Sequence, residues 1–514
     1  MVKSDNRLFV RGDADAFCGL FVDNLANLLV LTTTLVGVIK MPMGIVYGRI
    51  LPAFGISVLL PSIFYYLQAK KLAKKEGRSD VTALPFGMPT TALFLFLFSI
   101  ILPVYIISGD PIIAYRVGIA ACLINGIIEI IGSFCGEWIR KVTPRAALLG
   151  TLAGIAIAFI ALKPTLQVFS RPEIGFVPFA IILLGFVAKV KMPGNLPAGL
   201  IAVVVGTAIA WIGGYMDPNA IRESVATIGF YPPTFAVGDM IKGFADVGPY
   251  IAVIIPLALH SFLSTMQNVE SASAVGDKYE MFPTMIVDGA STVLGALLGS
   301  MMPTTVYIGH PGYKAIGARA GYTLFNGIAV AIVGLLGLVR FLQALIPLEA
   351  VYVILIYVGI IIMAQAFAST EKKHYPAVAF ALVPHLANYG LGLVNNAVSA
   401  MGGRASNPEV IAALARSSVD YRGLTTLAGG AAMSAMLLAS LIAFIIDHDY
   451  KKACITSAVL ATLSYFGIIH SPRLSLGGSM GAMIGYLIIF ALLLGYHIYS
   501  VLKKPNAAIE TPEN

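Results

Sequence analysis

Charged residues are scarce in this sequence. Lys, Arg, Asp and Glu make up 12% of the 514 residues and hydrophobic residues 58%, whereas about a quarter of an average soluble domain is charged. A soluble fold with so few charges could not cover its own surface. The hydrophobic residues fall in runs of about 20 between short polar breaks, the length that crosses roughly 30 Å of hydrocarbon. The sequence therefore predicts a polytopic membrane protein.

Cysteine is almost absent as well. The four cysteines, Cys18, Cys122, Cys135 and Cys454, show no CxxC spacing, so neither a disulfide framework nor a metal site is indicated. The sequence has no GxxxxGKS or GxxxxGKT phosphate loop and no HExxH motif, which excludes ATP-driven pumping within this chain. We expect a transporter rather than an enzyme, without cofactors and driven by a coupling ion, H⁺ or Na⁺.

The net charge of +8 comes largely from short basic clusters beside apolar runs, such as segment 69–79 (AKKLAKKEGRS). Clusters of this kind fix topology on the cytoplasmic side of a membrane. No basic soluble domain is present, so nucleic acid is not expected as a partner. The alternation of loops predicts a cytoplasmic N-terminus (1–15) and tail (503–514), in the plasma or inner membrane of the cell.

Sixteen candidate spans follow from the apolar runs and their Pro, Gly or charged boundaries. They lie near residues 17–39, 44–68, 83–107, 112–136, 145–163, 173–190, 195–214, 247–272, 284–302, 311–318, 321–346, 348–367, 376–398, 424–446, 453–470 and 477–502. The last two form an extra C-terminal helical hairpin (453–502). Two interpretations of this hairpin stay open, a peripheral element or part of a homodimer contact.

Two of these spans are interrupted. Residues 80–91 read DVTALPFGMPTT and residues 303–314 read PTTVYIGHPGYK, with Pro, Gly and Thr at membrane depth. Irregular backbone is tolerated there only when it is buried in protein or lines a cavity. Paired interruptions at corresponding positions indicate an inverted-repeat transporter. The third and tenth spans correspond if residues 16–215 and 247–446 are two repeats of seven spans.

The first and eighth spans should then correspond too, and each carries a run of polar side chains. These are Asp23, Asn24 and Asn27 in FVDNLANLLV, and Gln267, Asn268 and Glu270 in FLSTMQNVES. They line the ligand site in one interpretation and join helices by hydrogen bonds in the other. The carboxylates of Asp23 and Glu270 favour the ligand-site interpretation, because an unpaired buried charge costs several kcal/mol.

Residues 268–322 contain three motifs of one family: VES (269–271), DG (288–289) and PTT (303–305). The sequence resembles the xanthine/uracil permease family, which comprises the nucleobase:cation symporters and their ascorbate-carrying relatives. The resemblance implies an all-α fold of two inverted seven-span repeats arranged as core and gate domains. It also implies ion-coupled uptake of a nucleobase such as xanthine or uracil, bound between the broken spans. Glu270 is the best match to the family's coupling carboxylate.

The tenth span departs from the family pattern. After Thr305 the chain reads VYIGHPG, so the polar side chain at hand is His310, which follows Gly309. We expect Thr305, Gly309 and His310 at the site. Phe86, beside the break in the third span, is expected to provide a stacking face. In an alternative register, Leu263 and Gln267 take the carboxylate positions and Glu270 turns away from the substrate.

Structural alternatives stand beside these assignments. Glu270 could form a buried ion pair with Lys314 or Arg319, His310 could cap a helix, and Phe86 could be a core residue. Two further intramembrane acids are Asp288, expected to bond a helix end or loop, and Glu129, which no motif places near the cavity. For function, the alternatives are an anion transporter of the sulfate-permease type on the same fold and a permease for another small polar solute.

Overall fold

The computed structural model describes residues 9–193 and 196–503, and the chain is almost entirely helical. Within these residues nine helices are long and apolar enough to cross a membrane, and two bent helix pairs bring the number to as many as eleven. This confirms the predicted all-α polytopic class. Of the predicted cytoplasmic ends, 1–15 and 503–514, residues 1–8 and 504–514 lie outside the described residues, and the first helix already begins at Arg11.

The sixteen expected spans all correspond to helices, and we number them in chain order. The long single spans are Arg11–Val38 (first), Met43–Glu76 (second), Pro111–Val142 (fourth), Arg145–Ser170 (fifth), Gly248–Ala274 (eighth), Met281–Leu298 (ninth), Leu348–Ala368 (twelfth), Lys372–Ala400 (thirteenth) and Met480–Val501 (sixteenth). The shorter ones are residues 90–108 (third), Pro172–Val187 (sixth), Ala198–Ile212 (seventh), His310–Ala315 (tenth) and Tyr450–Tyr465 (fifteenth). Outside the spans lie Pro218–Val225, Val237–Asp246 and Pro408–Arg416.

Two spans bend sharply at a glycine. The eleventh, Gly321–Leu336 with Val339–Leu345, turns by 109°, and the fourteenth, Tyr421–Ala428 with Ala431–Ile446, turns by 83°. Gly337 at the first bend has φ +65°, and a Cβ there would lie 2.2 Å from the Thr227 carbonyl oxygen. A side chain at this position would meet both left-handed backbone and a clash, so only glycine fits.

The third and tenth spans each begin with a short strand. The strands are β1 (Phe86–Gly87) and β2 (Thr305–Val306), and they pair antiparallel with Phe86 opposite Val306 and Gly87 opposite Thr305. A helix follows each strand, over residues 90–108 and His310–Ala315 respectively. The pairing satisfies backbone groups that would otherwise be unpaired at membrane depth. The prediction of two broken spans is therefore confirmed.

Contacts divide the chain into two compact units. One consists of Met1–Arg140 with Ala156–Gln365 and contains both strands, and the other consists of Lys141–Ile155 with Ala366–Asn514. The second unit includes the extra C-terminal hairpin as the fifteenth and sixteenth spans. The division does not follow the two predicted repeats, so the boundaries 16–215 and 247–446 and the core and gate arrangement stay predictions.

Small residues let helices of the first unit approach closely. A Cβ on Gly334 of the eleventh span would lie 2.4 Å from the Leu51 carbonyl oxygen of the second span, and one on Gly327 would lie 2.5 Å from the Ser62 side chain. Glycine at such crossings replaces side-chain contacts with direct backbone packing, as is typical of membrane helices. The second and eleventh spans, packed in this way, both contact β1.

Candidate functional site

The strand pair is the framework of the candidate site. In addition to the β1–β2 pairing, the Tyr307 backbone N–H donates to the Pro85 carbonyl at 2.7 Å. Phe86, Thr305 and Val306 are all buried. The two broken spans are therefore joined to one another inside the first unit; their Pro, Gly and Thr content predicted the breaks but not this pairing.

The first span holds the end of β1 through two asparagines. Asn24 Oδ1 accepts from the Met88 backbone N–H at 3.0 Å, and Asn27 Nδ2 donates to the Met88 carbonyl at 2.9 Å. Thr90, at the start of the following helix, donates to Asn27 Oδ1 at 3.1 Å. A Cβ on Gly87 would lie 2.2 Å from Asn24 Oδ1, so glycine at this strand position makes the close approach possible.

The eighth span holds β2 in a corresponding way. Asn268 Nδ2 donates to the Val306 carbonyl at 2.8 Å, and the hydroxyls of Thr265 and Thr305 lie 2.6 Å apart. The polar pairs Asp23–Asn24 and Gln267–Asn268 therefore take similar places in the two halves of the chain: Asn24 bonds Met88 directly after β1, and Asn268 bonds Val306 of β2.

Four side chains interact with Asp23. We call the set the Asp23 cluster, and it consists of Asp23, Lys163, Tyr307, Tyr313 and Tyr352. The Tyr307 hydroxyl donates to Asp23 Oδ2. Lys163 of the fifth span interacts electrostatically with Asp23, and so do the two other tyrosines. Sequence reasoning passed over Lys163, although a lysine inside an apolar span is itself a signal of function.

Gln267 is a buried polar side chain of the site with unused hydrogen-bonding capacity. It is fully buried, and neither its Nε2 nor its Oε1 has a hydrogen-bond partner in the described part of the chain. Four residues on, Ser271 donates to Gln365 Oε1 of the twelfth span at 3.0 Å. Since residues four apart share a helix face, Gln267 lies on the face of the eighth span that meets the twelfth. A buried unpaired carboxamide costs about 1–3 kcal/mol per polar group, which indicates a place for water or a ligand.

Glu270 lies elsewhere. Its side chain is 4% exposed, and Oε2 accepts from Arg140 Nη1 at 3.0 Å, at the end of the fourth span. Arg140 also binds Glu137. The structure thus gives Glu270 an ion pair, but with Arg140 instead of Lys314 or Arg319. Its role as substrate ligand and coupling group stays a prediction.

His310, Gly309 and Phe86 have mainly architectural contacts. His310 Nε2 lies 2.9 Å from the Thr82 carbonyl oxygen, while Nδ1 has no hydrogen-bond partner among the described residues. Gly309 has φ +132°, where other residues are strained. Phe86 is fully buried, with its ring 5.4 Å from that of Tyr65. No contact here tests their predicted binding roles, which stay predictions.

A second set of contacts fixes the start of the third span, and we call it the Asp277 hub: Asp277, Arg78, Thr82, His310 and Lys314. Asp277 is fully buried; Oδ1 binds Lys314 at 2.5 Å and Arg78 at 3.1 Å. Oδ2 accepts from the Thr82 N–H at 3.0 Å and lies 3.2 Å from His310 Nε2. Burial raises the pKa of Asp277, but the bond with His310 and the nearby positive charges outweigh it and leave the pKa below its ordinary value.

Sequence reasoning missed the Asp277 hub. Asp277 lies in a loop of ordinary composition, VGDKY, and its partners Arg78 and Lys314 are 199 and 37 residues away. The two breaks were visible as Pro and Gly, but the acid that ties them together has no motif of its own. Nearby, a hydrogen bond from Arg78 lowers the pKa of Asp80 to about 2.

A cavity of about 450 Å³ lies in the second unit, between the fifteenth and sixteenth spans. Its lining is mainly apolar, with Cys454, Ile455, Phe490 and Leu494, and it also includes Lys451, Thr462 and His497. Polar groups do not converge on it, whereas solute sites combine an apolar wall with a few oriented polar groups. The strand pair remains the candidate site.

Comparisons with known proteins found similar solved structures but no similar sequences. No family model matches the sequence, and no curated protein matches it. Among solved structures, the transmembrane domain of BicA, a cyanobacterium bicarbonate transporter, is 14% identical, with a TM-score of 0.41 over 73% of this chain and 94% of that chain. SLC26A9 is 14% identical, with a TM-score of 0.38 over 67% of this chain and 61% of that one.

These comparisons correct one sequence interpretation. Assignment to the xanthine/uracil permease family is wrong, since no model of that family matches and the similar structures are of a bicarbonate transporter and of SLC26A9. The physical reason lies in the motifs. PTT supplies hydroxyls at the start of β2, where Thr304 and Thr305 bond Ser291, Thr292 and Asp288. Because these contacts satisfy the framework of the broken span, the motif does not identify a substrate.

Proposed function

We propose that this chain is a secondary transporter that carries a small anion across the membrane. The observation that carries the proposal is the β1–β2 pair of two broken spans, beside the unpartnered carboxamide of Gln267 and the intramembrane Lys163. Broken spans that meet at membrane depth belong to alternating access, in which the solute is held between them.

Lys163 favours an anion. A lysine within a span costs several kcal/mol unless it is paired or faces a cavity, and here its electrostatic partner is Asp23. Asp23 also accepts from Tyr307, so a protonated or displaced Asp23 would leave Lys163 to neutralise the solute. Gln267 would donate from Nε2 to the same solute. An uncharged polar solute is the second candidate, because Asp23 balances the charge of Lys163.

The topology is part of the proposal. We place the loops that carry Arg78 and Lys373 on the cytoplasmic side, together with both chain ends, in the plasma or inner membrane. The basic clusters beside the spans support this orientation.

The test is uptake by the purified chain in proteoliposomes. Radiolabelled chloride, bicarbonate and sulfate would be offered one at a time, with a neutral solute of similar size, under imposed ion gradients. Gln267→Met and Lys163→Met should each lower uptake by about tenfold or more, since a lost hydrogen bond to a charged group is worth about 1.5–3 kcal/mol.

Matched controls are Gln343→Met and Lys242→Met, which change the same residue types at exposed positions. They should transport like wild type. Uptake of the neutral solute alone would support the second candidate and overturn the anion. No uptake of any solute by folded protein, or full uptake by both site variants, would overturn the proposed function.

A further inference from the structure

Two acids meet inside the first unit where the fourth and ninth spans cross. Gly126 and Gly289 pack backbone against backbone, and a Cβ on either would lie within 2.9 Å of the other's carbonyl oxygen. This close crossing brings Glu129, one turn after Gly126, next to Asp288, which precedes Gly289. The two carboxyl groups interact electrostatically.

Both acids are almost fully buried, Glu129 at 2% and Asp288 at 1% exposed. Glu129 Oε1 accepts from Asn125 at 3.0 Å, but Glu129 Oε2 and Asp288 Oδ1 have no hydrogen-bond partner among the described residues. Within the same residues, no Lys, Arg or His forms an ion pair with either acid. Two ionised carboxylates cannot stay this close in a low-dielectric interior without a cation.

Hydroxyl oxygens complete the surroundings. Thr265 and Thr305 both donate to Asp288 Oδ2, Thr305 at 2.8 Å. Thr305 is a residue of β2, opposite Gly87 of β1. Carboxylate and hydroxyl oxygens are the ligands that hard cations prefer. The pair of acids therefore adjoins the strand on which the candidate transport site is built.

We propose that Glu129 and Asp288, with the hydroxyls of Thr265 and Thr305, form the site for one monovalent cation, H⁺ or Na⁺, that is coupled to transport. The cation neutralises one carboxylate and stabilises β2 in its pairing with β1. The coupling part of this inference rests on the proposed function, whereas cation binding itself does not. The other titratable side chains that face the pair are Tyr65 of the second span and Cys122 of the fourth.

The test measures cation binding without any transported substrate. The thermal unfolding midpoint of the full chain in detergent would be recorded as choline chloride is replaced by NaCl, or in a parallel series by KCl, at constant chloride and at several pH values between 5.5 and 8.5. For wild type, the midpoint should rise with Na⁺, or with falling pH if the site takes a proton. A response to Na⁺ but not K⁺ would assign sodium, and a response to pH alone would assign the proton.

The isosteric variants Glu129→Gln and Asp288→Asn should each reduce this response at least several-fold, and the double variant should abolish it. Glu137→Gln, which changes an acid on the same helix that pairs with Arg140, should keep it. Thr305→Val retains both acids. If the site takes Na⁺, this variant should need a higher Na⁺ concentration for half of the stabilisation. A wild-type midpoint that ignores both ions would overturn the proposal, as would an unchanged response in Glu129→Gln. Cation binding without solute uptake would uphold this site while the proposed function fails.

Discussion

The Asp277 hub and the Gln267 face of the eighth span are two polar regions of one unit with opposite states. Asp277 is buried and each of its oxygens has at least two partners, including Arg78, Lys314 and the Thr82 N–H. Gln267 is equally buried and has none among the described residues. A saturated polar group stabilises a structure, whereas an unsaturated one lowers its stability.

This difference separates structure from function more clearly than residue type does. By charge alone, Asp277 is the better functional candidate, because it is an ionised acid beside a histidine. By contacts, its capacity is already used to hold the start of the third span against the tenth. Gln267 is uncharged, yet both polar atoms of its carboxamide have hydrogen-bonding capacity left for a solute. Predictions that separate the two regions test this distinction.

Removal of the Asp277 charge should have the largest effect on stability. In Asp277→Asn, Arg78 and Lys314 keep their positive charges beside a neutral group, and breaking a buried pair in this way costs about 3–5 kcal/mol. We expect the lower end, near about 3 kcal/mol, since Arg78 is 30% and Lys314 15% exposed. The measurement is the thermal unfolding midpoint in detergent.

The matched control for this variant is Asp239→Asn. Asp239 also binds two arginines, Arg49 and Arg116, but its side chain is 22% exposed. A loss of about 1 kcal/mol is expected there, as for other pairs near the surface. Equal losses in the two variants would mean that the Asp277 hub is an ordinary surface cluster.

Acid should act on the Asp277 hub as well. The pKa of Asp277 is below its ordinary value of 3.8 in the folded protein, so its ionised form stabilises the fold. This contribution is fully present above the unfolded value and is lost as the pH falls through the folded pKa. As the pH is lowered below about 4, the thermal unfolding midpoint of wild type should therefore decrease more steeply than that of Asp277→Asn. Parallel curves for the two proteins would contradict this assignment.

Replacement of one strand-holding asparagine in each half, Asn24 or Asn268, should have an intermediate effect. Asn268→Ala leaves the Val306 carbonyl without its donor, and Asn24→Ala leaves the Met88 N–H without its acceptor. Each should lower stability by about 1–3 kcal/mol, the cost of an unpaired buried group. Similar losses would show that the two halves of the chain hold their strands in the same way. A loss confined to one variant would show that only that strand depends on its span.

The sequence predicted the features that depend on local composition. Pro, Gly and Thr at 80–91 and 303–314 indicated the breaks, and the runs around Asn24 and Asn268 indicated the helices that face them. Partners far apart in the chain could not be predicted, because periodicity does not say which helices pack together. Glu270 is the example: its VES motif suggested a ligand, and its partner Arg140 lies 130 residues away. Lys163 was visible in the sequence but had no motif to connect it with Asp23.

Gln267→Met should have the smallest effect on stability, and this outcome separates the two regions most sharply. Methionine has nearly the same length and no hydrogen-bonding demand, so the cost of an unpaired carboxamide disappears. We expect an unfolding midpoint equal to or slightly above that of wild type, measured without solute, together with the loss of uptake proposed above. A core residue with hidden structural bonds would behave in the opposite way, with a lower midpoint and uptake reduced only in proportion to the folded fraction. A stable but inactive variant therefore assigns Gln267 a role in binding the solute, whereas an unstable variant assigns it a structural role.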